Sequence, residues 1–88
     1  MTISVNSRKK QAKKSFDELL NDLRTSNSEK VRYNAARALG ELGEVSATIP
    51  LIESLREDRN VDVRVRAARA LGRLGGRFPL LRTIRVAT

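Results

Sequence analysis

The chain has no cysteine and no histidine among its 88 residues. Without cysteine, neither a disulfide nor a thiolate metal site can form. Without histidine, the commonest metal ligand and the commonest general base near neutral pH are missing. Because serine or threonine then has no histidine base to activate it, the sequence predicts a protein that is not an enzyme. It also predicts that the chain holds no metal and needs no cofactor.

Aromatic residues and long apolar runs are also scarce. The only aromatic side chains are Phe16, Tyr33 and Phe78, so a core has to be built from Leu, Ile, Val and Ala. No apolar run approaches the length of about 20 residues that a membrane-spanning helix needs. The first residues lack the apolar stretch of a secretory signal. We therefore expect a cytoplasmic protein with no membrane segment.

Positive charge is abundant and lies mainly at the two ends of the chain. The net charge is +8, with five basic and no acidic side chains in residues 1–15, and seven arginines against one aspartate in residues 61–88. Residues 1–14 have no sustained apolar period and predict a flexible basic N-terminal arm. The basic residues of this arm are Arg8, Lys9, Lys10, Lys13 and Lys14. Such a charge distribution favours acidic partners.

One sequence motif of 13 residues occurs twice. The stretch "VRYNAARALGELG" begins at Val31, and "VRVRAARALGRLG" begins 32 residues later at Val63, with ten of thirteen positions identical. Each copy places apolar residues at helical spacing on one face. The apolar positions of the two copies are Val31, Ala35, Ala38, Leu39 and Leu42, and Val63, Ala67, Ala70, Leu71 and Leu74.

A shorter apolar segment precedes each copy and predicts the first helix of a helical pair. In residues 15–44, Ser15 and Glu18 form a capping-box pattern, and Asn27 or Ser28 can cap the second helix. Gly43 is expected to end that helix in the left-handed conformation. A glycine inside a helix is unfavourable, so Gly40 indicates a tight backbone crossing. The apolar face of the first helix is predicted to contain Phe16, Leu19, Leu20 and Leu23.

Residues 45–76 repeat this organisation. Here Ile49, Ile52 and Leu55 are predicted to be buried, with Leu51 beside them; Pro50 falls in the first turn, where proline is tolerated. Asn60 is expected to cap the second helix and Gly75 to end it. Residues 77–88 predict a truncated third repeat, because "FPLLRTI" resembles "IPLIESL" of the second. Leu80, Leu81, Ile84 and Val86 are expected to dock on that repeat, which gives five helices in all.

The repeated "VR-x-x-AARALG-x-LG" pattern, with a helix-pair period near 30 residues, resembles HEAT repeats. It is most similar to the short HEAT-like repeats named after phycobilisome lyases. The resemblance implies an all-α fold, a short α-solenoid of two full repeats plus one extra helix. It also implies that Arg32 and Arg64 join a hydrogen-bond ladder with acidic or turn residues such as Asp62. With fewer than three full repeats, we expect self-association or stability that depends on a partner.

Two polar trios occupy equivalent positions on the second helices, and the resemblance implies that these helices line the concave, partner-binding face. Spacing i, i+3, i+7 keeps each trio on one side of its helix. The trios are Asn34, Arg37 and Glu41 in the first repeat, and Arg66, Arg69 and Arg73 in the second. The surface is either an ordinary solvated helix face or a docking strip for a carboxylate-rich protein or a phosphate backbone.

Three functions remain open from the sequence. The first is a non-enzymatic adaptor that binds a protein partner, acidic in character, on the strip of second-helix residues. The second is a basic HEAT-like protein that binds nucleic acid, for which the arm offers charge but no aromatic stacking platform. The third, which the resemblance alone suggests, is an accessory subunit of a phycobilisome or of a bilin lyase.

Overall fold

The computed structural model describes residues 14–77, and within this range it contains four α-helices and no strand. Helix α1 spans Phe16–Thr25, α2 spans Glu29–Leu42, α3 spans Thr48–Glu57 and α4 spans Val61–Arg77. A short 3-10 turn, Val45–Ala47, precedes α3. The all-α solenoid predicted from the sequence is therefore confirmed.

The helix starts follow the polar residues that the sequence places before them. The Ser15 hydroxyl accepts a hydrogen bond from the backbone N–H of Glu18, and the Glu18 carboxylate accepts one from the backbone N–H of Ser15. Ser28, rather than Asn27, caps α2 by accepting from the N–H of Val31, and the Asn60 side chain accepts from the N–H of Val63. Each cap satisfies a backbone donor that has no partner within its helix.

Removal of the Ser15 cap should weaken α1. We expect Ser15→Ala to lower the free energy of unfolding by about 1 kcal/mol. The N–H of Glu18 loses its acceptor, and the reciprocal bond from the N–H of Ser15 to the Glu18 carboxylate is no longer supported. Urea denaturation monitored by circular dichroism measures this loss. Ser46→Ala, on an exposed residue of the 3-10 turn, is the control, and an equal loss in both variants would contradict the role of the cap.

The four helices form two pairs, α1–α2 and α3–α4, that contact each other mainly through their second members. The most extensive contact is between α2 and α4, followed by the contacts within the pairs α3–α4 and α1–α2. Helices α1 and α3 touch only slightly. Helices α2 and α4 therefore form the main contact between the repeats, and the contact between α1 and α3 is small.

A core of small and aliphatic side chains joins the pairs, as the shortage of aromatic residues requires. Its largest fully buried members are Leu39, Leu51, Leu74 and Val63. Leu19 and Leu23 of α1 are buried as predicted, and Phe16 and Leu20 pack against the core with partial exposure. The stripe on α4 is buried more completely than that on α2, where Leu42 is 48% exposed.

The predicted buried face of α3 is wrong at Ile49 and Leu55, whereas Ile52 is half-buried and Leu51 is fully buried. Ile49 is 61% exposed and Leu55 37% exposed, whereas the buried residues are Ala47, Pro50, Leu51 and Ser54. The spacing i, i+3, i+4, i+7 places these four on one side, with Ala47 just before α3, and Leu51 is the only large side chain among them. The larger Ile49 and Leu55 are left on a rim that no helix in residues 14–77 covers. Pro50 lies in the first turn of α3, as expected.

The two predicted helix ends differ. Gly43 follows α2 with φ of 73°, the only left-handed glycine in the described range, and its N–H donates to the carbonyl of Leu39. Gly75 does not end α4, because the helix continues through Gly76 to Arg77. The predicted fifth helix and the docking of Leu80, Leu81, Ile84 and Val86 lie outside the described residues.

Candidate protein-binding surface

A buried ion pair ties the first repeat to the turn of the second. The Arg32 guanidinium donates from Nε to Asp58 Oδ2 at 2.9 Å and from Nη2 to Oδ1 at 3.2 Å. Both side chains are almost fully buried, with 7% and 6% of their surface exposed. Arg32 Nη1 donates at 2.9 Å to the carbonyl of Ser26, so the guanidinium also holds the turn of its own repeat. We call this arrangement the inter-repeat clasp.

The clasp keeps Asp58 ionised. Burial by itself raises the pKa of this carboxyl. The hydrogen bond from Arg32, the backbone N–H of Asn60, and the charges of Arg32 and Arg59 lower it more, so that the net pKa lies below the ordinary value of 3.8. The carboxylate is therefore charged at neutral pH and forms a charge-assisted, two-bond contact with Arg32.

Arg64 occupies the position in the second repeat that Arg32 occupies in the first. Its Nη1 donates at 2.6 Å to the carbonyl of Asp58, which matches the bond from Arg32 to the carbonyl of Ser26. The ladder that the family resemblance implied is thus present for both arginines. The acidic residue named for it is wrong, because Asp58 in the turn, and not Asp62 in the first turn of α4, binds Arg32.

The crossing of α2 over α4 is as tight as the glycine in α2 predicted. A Cβ atom built on Gly40 would lie 2.8 Å from the Cβ and 2.9 Å from the Cα of Ala70. The equivalent Gly72 has nothing within 4 Å of such an atom, so the same reason does not apply to it within the described range. Near the crossing, the Arg66 guanidinium stacks over the Tyr33 ring at 5.3 Å from its centroid.

The first predicted trio lies together on one open groove. Asn34, Arg37 and Glu41 are exposed and line a groove of about 680 Å³ between α1 and α2. The apolar part of its wall includes Val31, Ala38 and Leu42, and this explains why the stripe on α2 is not fully buried. Lys14 also lines this groove, where its Nζ lies 2.6 Å from Asp22 Oδ2. The other arm residues, Arg8, Lys9, Lys10 and Lys13, lie outside the described range.

The second predicted trio is divided between a packed residue and two open ones. Arg66 is half-buried against Tyr33, and its Nε is buried with no hydrogen-bond partner in residues 14–77. Arg69 and Arg73 are exposed, and no carboxylate in that range lies within ion-pair distance of them. Arg66 therefore contributes to the contact between the repeats, whereas Arg69 and Arg73 remain on the exposed surface.

Two residues that contact the arginines of the repeats, Asp58 and Tyr33, were not predicted from the sequence. The sequence pattern assigned no contact to Asp58, which lies 26 residues from Arg32 and binds its guanidinium. Tyr33 was noted only as one of three aromatic residues, although the Arg66 guanidinium stacks on its ring. The 32-residue offset could have indicated the contact of Asp58. This residue is equivalent to Ser26 of the first repeat, and in the second repeat the position faces the first repeat.

No helix within 14–77 is both long and apolar enough to cross a bilayer. Over the same residues, no cluster of three acidic side chains could hold a metal ion.

Comparison with known proteins identifies the repeat. A family model described as HEAT repeats matches residues 16–85, which is most of the chain. A comparison with curated proteins gave no significant match. HEAT repeats generally mediate protein–protein interaction, and the family is typically a non-enzymatic helical scaffold. The matched range contains both stacked helix pairs, the inter-repeat clasp and the tight α2–α4 crossing, and the chain belongs to the HEAT repeat family.

Proposed function

We propose that this chain is an adaptor that binds an acidic protein partner on the exposed face of its second helices. The observation that carries the proposal is that Arg69 and Arg73 are exposed at spacing i, i+4 without a carboxylate neighbour in residues 14–77. Arginine forks bind carboxylates through two parallel hydrogen bonds, which gives both affinity and orientation. The docking strip consists of Asn34, Arg37, Glu41, Arg66, Arg69 and Arg73.

The members of the strip have different roles in this proposal. Arg69, Arg73 and Arg37 supply the exposed positive charge, whereas Glu41 at the end of the first trio marks where the strip becomes less favourable to acidic groups. Arg66 is already stacked on Tyr33 and supports the strip at the junction of the repeats. The second repeat therefore dominates the binding of an acidic surface.

Charge reversal on the second repeat tests this proposal. We expect Arg69→Glu with Arg73→Glu to reduce capture of the native partner at least tenfold in quantitative mass spectrometry of pull-downs, because rim charges set encounter and specificity. Neither side chain is buried, so the far-UV circular dichroism and melting temperature should stay near wild type. The matched control is Arg56→Glu, which reverses an exposed charge on α3.

Two outcomes would contradict the proposal. One is unchanged capture of every partner by the double variant, and the other is an equal loss in the Arg56→Glu control. If the captured material is instead nucleic acid, a titration against a duplex at several salt concentrations should show a slope of roughly −0.9 per neutralised phosphate. Residues 14–77 carry twelve basic and ten acidic side chains, so six of the eight net positive charges lie outside them.

A further inference from the structure

The outer face of α4 repeats the surface with which α2 receives α4. At the 32-residue offset, Ala36 and Gly40 of α2 correspond to Ala68 and Gly72 of α4. The first two are buried, with Ala36 fully so and Gly40 against Ala70 of the second repeat, whereas the second two are exposed. Val65, which corresponds to Tyr33, is 47% exposed. We call Val65, Ala68 and Gly72 the end face.

Arg64 makes only one of the two kinds of contact that Arg32 makes in the inter-repeat clasp. Arg32 uses Nη1 on the turn carbonyl of its own repeat, and Nε and Nη2 on the carboxylate of the next turn. Arg64 makes the first of these bonds, to the carbonyl of Asp58. No carboxylate among residues 14–77 takes its Nε and Nη2.

This carboxylate cannot come from a side chain elsewhere in the sequence. All ten acidic residues lie between Asp17 and Asp62, and neither residues 1–13 nor residues 78–88 contain Asp or Glu. The two nitrogen atoms of Arg64 that would complete a second clasp therefore match an acidic side chain that residues 1–88 do not supply.

We propose that the end face and Arg64 together form a docking site for a helical hairpin of the same repeat type, carried by a partner protein with an aspartate in its inter-helix turn. The partner aspartate binds Arg64 Nε and Nη2 as Asp58 binds Arg32. A small residue on the second helix of the partner packs at Gly72, as Ala70 packs at Gly40. The site continues an interface that already exists within the chain, and it is separate from the strip centred on Arg69 and Arg73.

A second wild-type copy lacks the side chain that this site selects. If the first repeat of another copy docked on α4, its turn would place Ser26 where the clasp has Asp58. Serine supplies no charge to the guanidinium, so the carboxylate distinguishes a partner from a second copy. The backbones agree closely, with φ and ψ of −66° and 135° at Ser26 and −63° and 135° at Asp58.

This agreement provides a probe. Both residues accept a hydrogen bond from the N–H two residues later, from Ser28 at 3.1 Å and from Asn60 at 2.9 Å, so Ser26→Asp preserves the turn. The donor is the full chain with Ser26→Asp and with Arg64→Gln, which prevents it from accepting a further copy. The matched control donor carries Arg64→Gln alone. The acceptor is the wild-type chain with a fluorophore on its N-terminus.

We expect the Ser26→Asp donor to bind the acceptor at least about tenfold more tightly than the control donor in sedimentation and anisotropy titrations, because a desolvated charge pair depends on both partners. The gain should vanish when the acceptor carries Arg64→Gln. Gly72→Ala in the acceptor should also weaken binding, since its Cβ would meet the docked helix. Arg37→Glu in the acceptor should leave binding unchanged, so failure of this site and failure of the strip are distinguishable.

Three results would overturn the proposal. The first is no binding by a Ser26→Asp donor whose circular dichroism shows a folded chain. The second is equally tight binding by the control donor, which would assign the end face to a second copy. The third is binding that does not change when Arg64 of the acceptor is replaced by glutamine.

Discussion

Asp58→Asn should destabilise the protein by about 3–5 kcal/mol, the cost typical of leaving one partner of a buried ion pair without its opposite charge. Asparagine has almost the same shape and can still accept from the N–H of Asn60, so the change removes charge and not volume. Arg32, 5% exposed, then remains buried without a counterion. Because small domains are stable by only about 5–15 kcal/mol, a large part of the folding free energy is lost. Urea denaturation at pH 7 measures the effect.

The loss should depend on pH in one direction. The pKa of Asp58 is lower in the folded chain than its ordinary value of 3.8, so ionisation stabilises the fold above that pH. This stability is lost as the pH falls through the folded-state pKa. The difference between wild type and Asp58→Asn should therefore be full at pH 7 and shrink below pH 3.8.

Asp62→Asn is the matched control for this prediction. Asp62 is exposed in the first turn of α4, where its negative charge is worth about 0.3–1 kcal/mol through the helix dipole. If Asp58→Asn costs no more than Asp62→Asn at pH 7, the inter-repeat clasp is not a principal contact between the repeats.

Alanine at the two equivalent glycines should have effects of opposite sign. Gly40→Ala places its new Cβ 2.9 Å from the backbone Cα of Ala70, so the helices must separate. Overpacking of this kind costs about 1–3 kcal/mol, and contact with backbone places it at the upper end, which exceeds the gain of about 1 kcal/mol in helix propensity. We expect a net loss of about 2 kcal/mol.

At Gly72 only the gain in helix propensity remains. A Cβ there meets nothing within 4 Å, so Gly72→Ala should stabilise α4 by up to about 1 kcal/mol. Melting temperatures and urea midpoints of the two variants, measured side by side, provide the comparison. Two changes of the same sign would contradict the assignment of Gly40 to a close helix crossing and of Gly72 to an open surface.

These residues also show how far the sequence could predict the fold. The repeated motif and the helical spacing of its apolar residues predicted α2 and α4, because both features are local in the sequence. The caps at Ser15 and Asn60 were predictable for the same reason, and Ser28 was one of two candidates for the start of α2. The close crossing at Gly40 could be inferred because glycine is unfavourable in a helix and therefore indicates a packing requirement.

Contacts between the repeats were less predictable. The rotation of α3 could not be read from Ile49 and Leu55, because burial there depends on the neighbouring helices and not on apolarity. Asp58 and Asp62 both lie near the start of α4, and only the direction of the turn decides which carboxylate reaches Arg32. Gly43 ends α2, whereas Gly75 lies inside α4. The sequence does not distinguish the two, because a glycine can occupy either position.

A double-mutant cycle between Arg32 and Asp58 tests most directly whether the two repeats are joined as described. Arg32→Gln, Asp58→Asn and the double variant are unfolded with urea in a fixed concentration of trimethylamine N-oxide, which favours compact states and keeps weak variants measurable. The exposed pair Arg24–Glu53, separated by 3.8 Å, is the reference and should couple by less than about 1 kcal/mol. We predict a coupling of about 2–3 kcal/mol for Arg32–Asp58, and a value no larger than that of the reference pair would contradict the account.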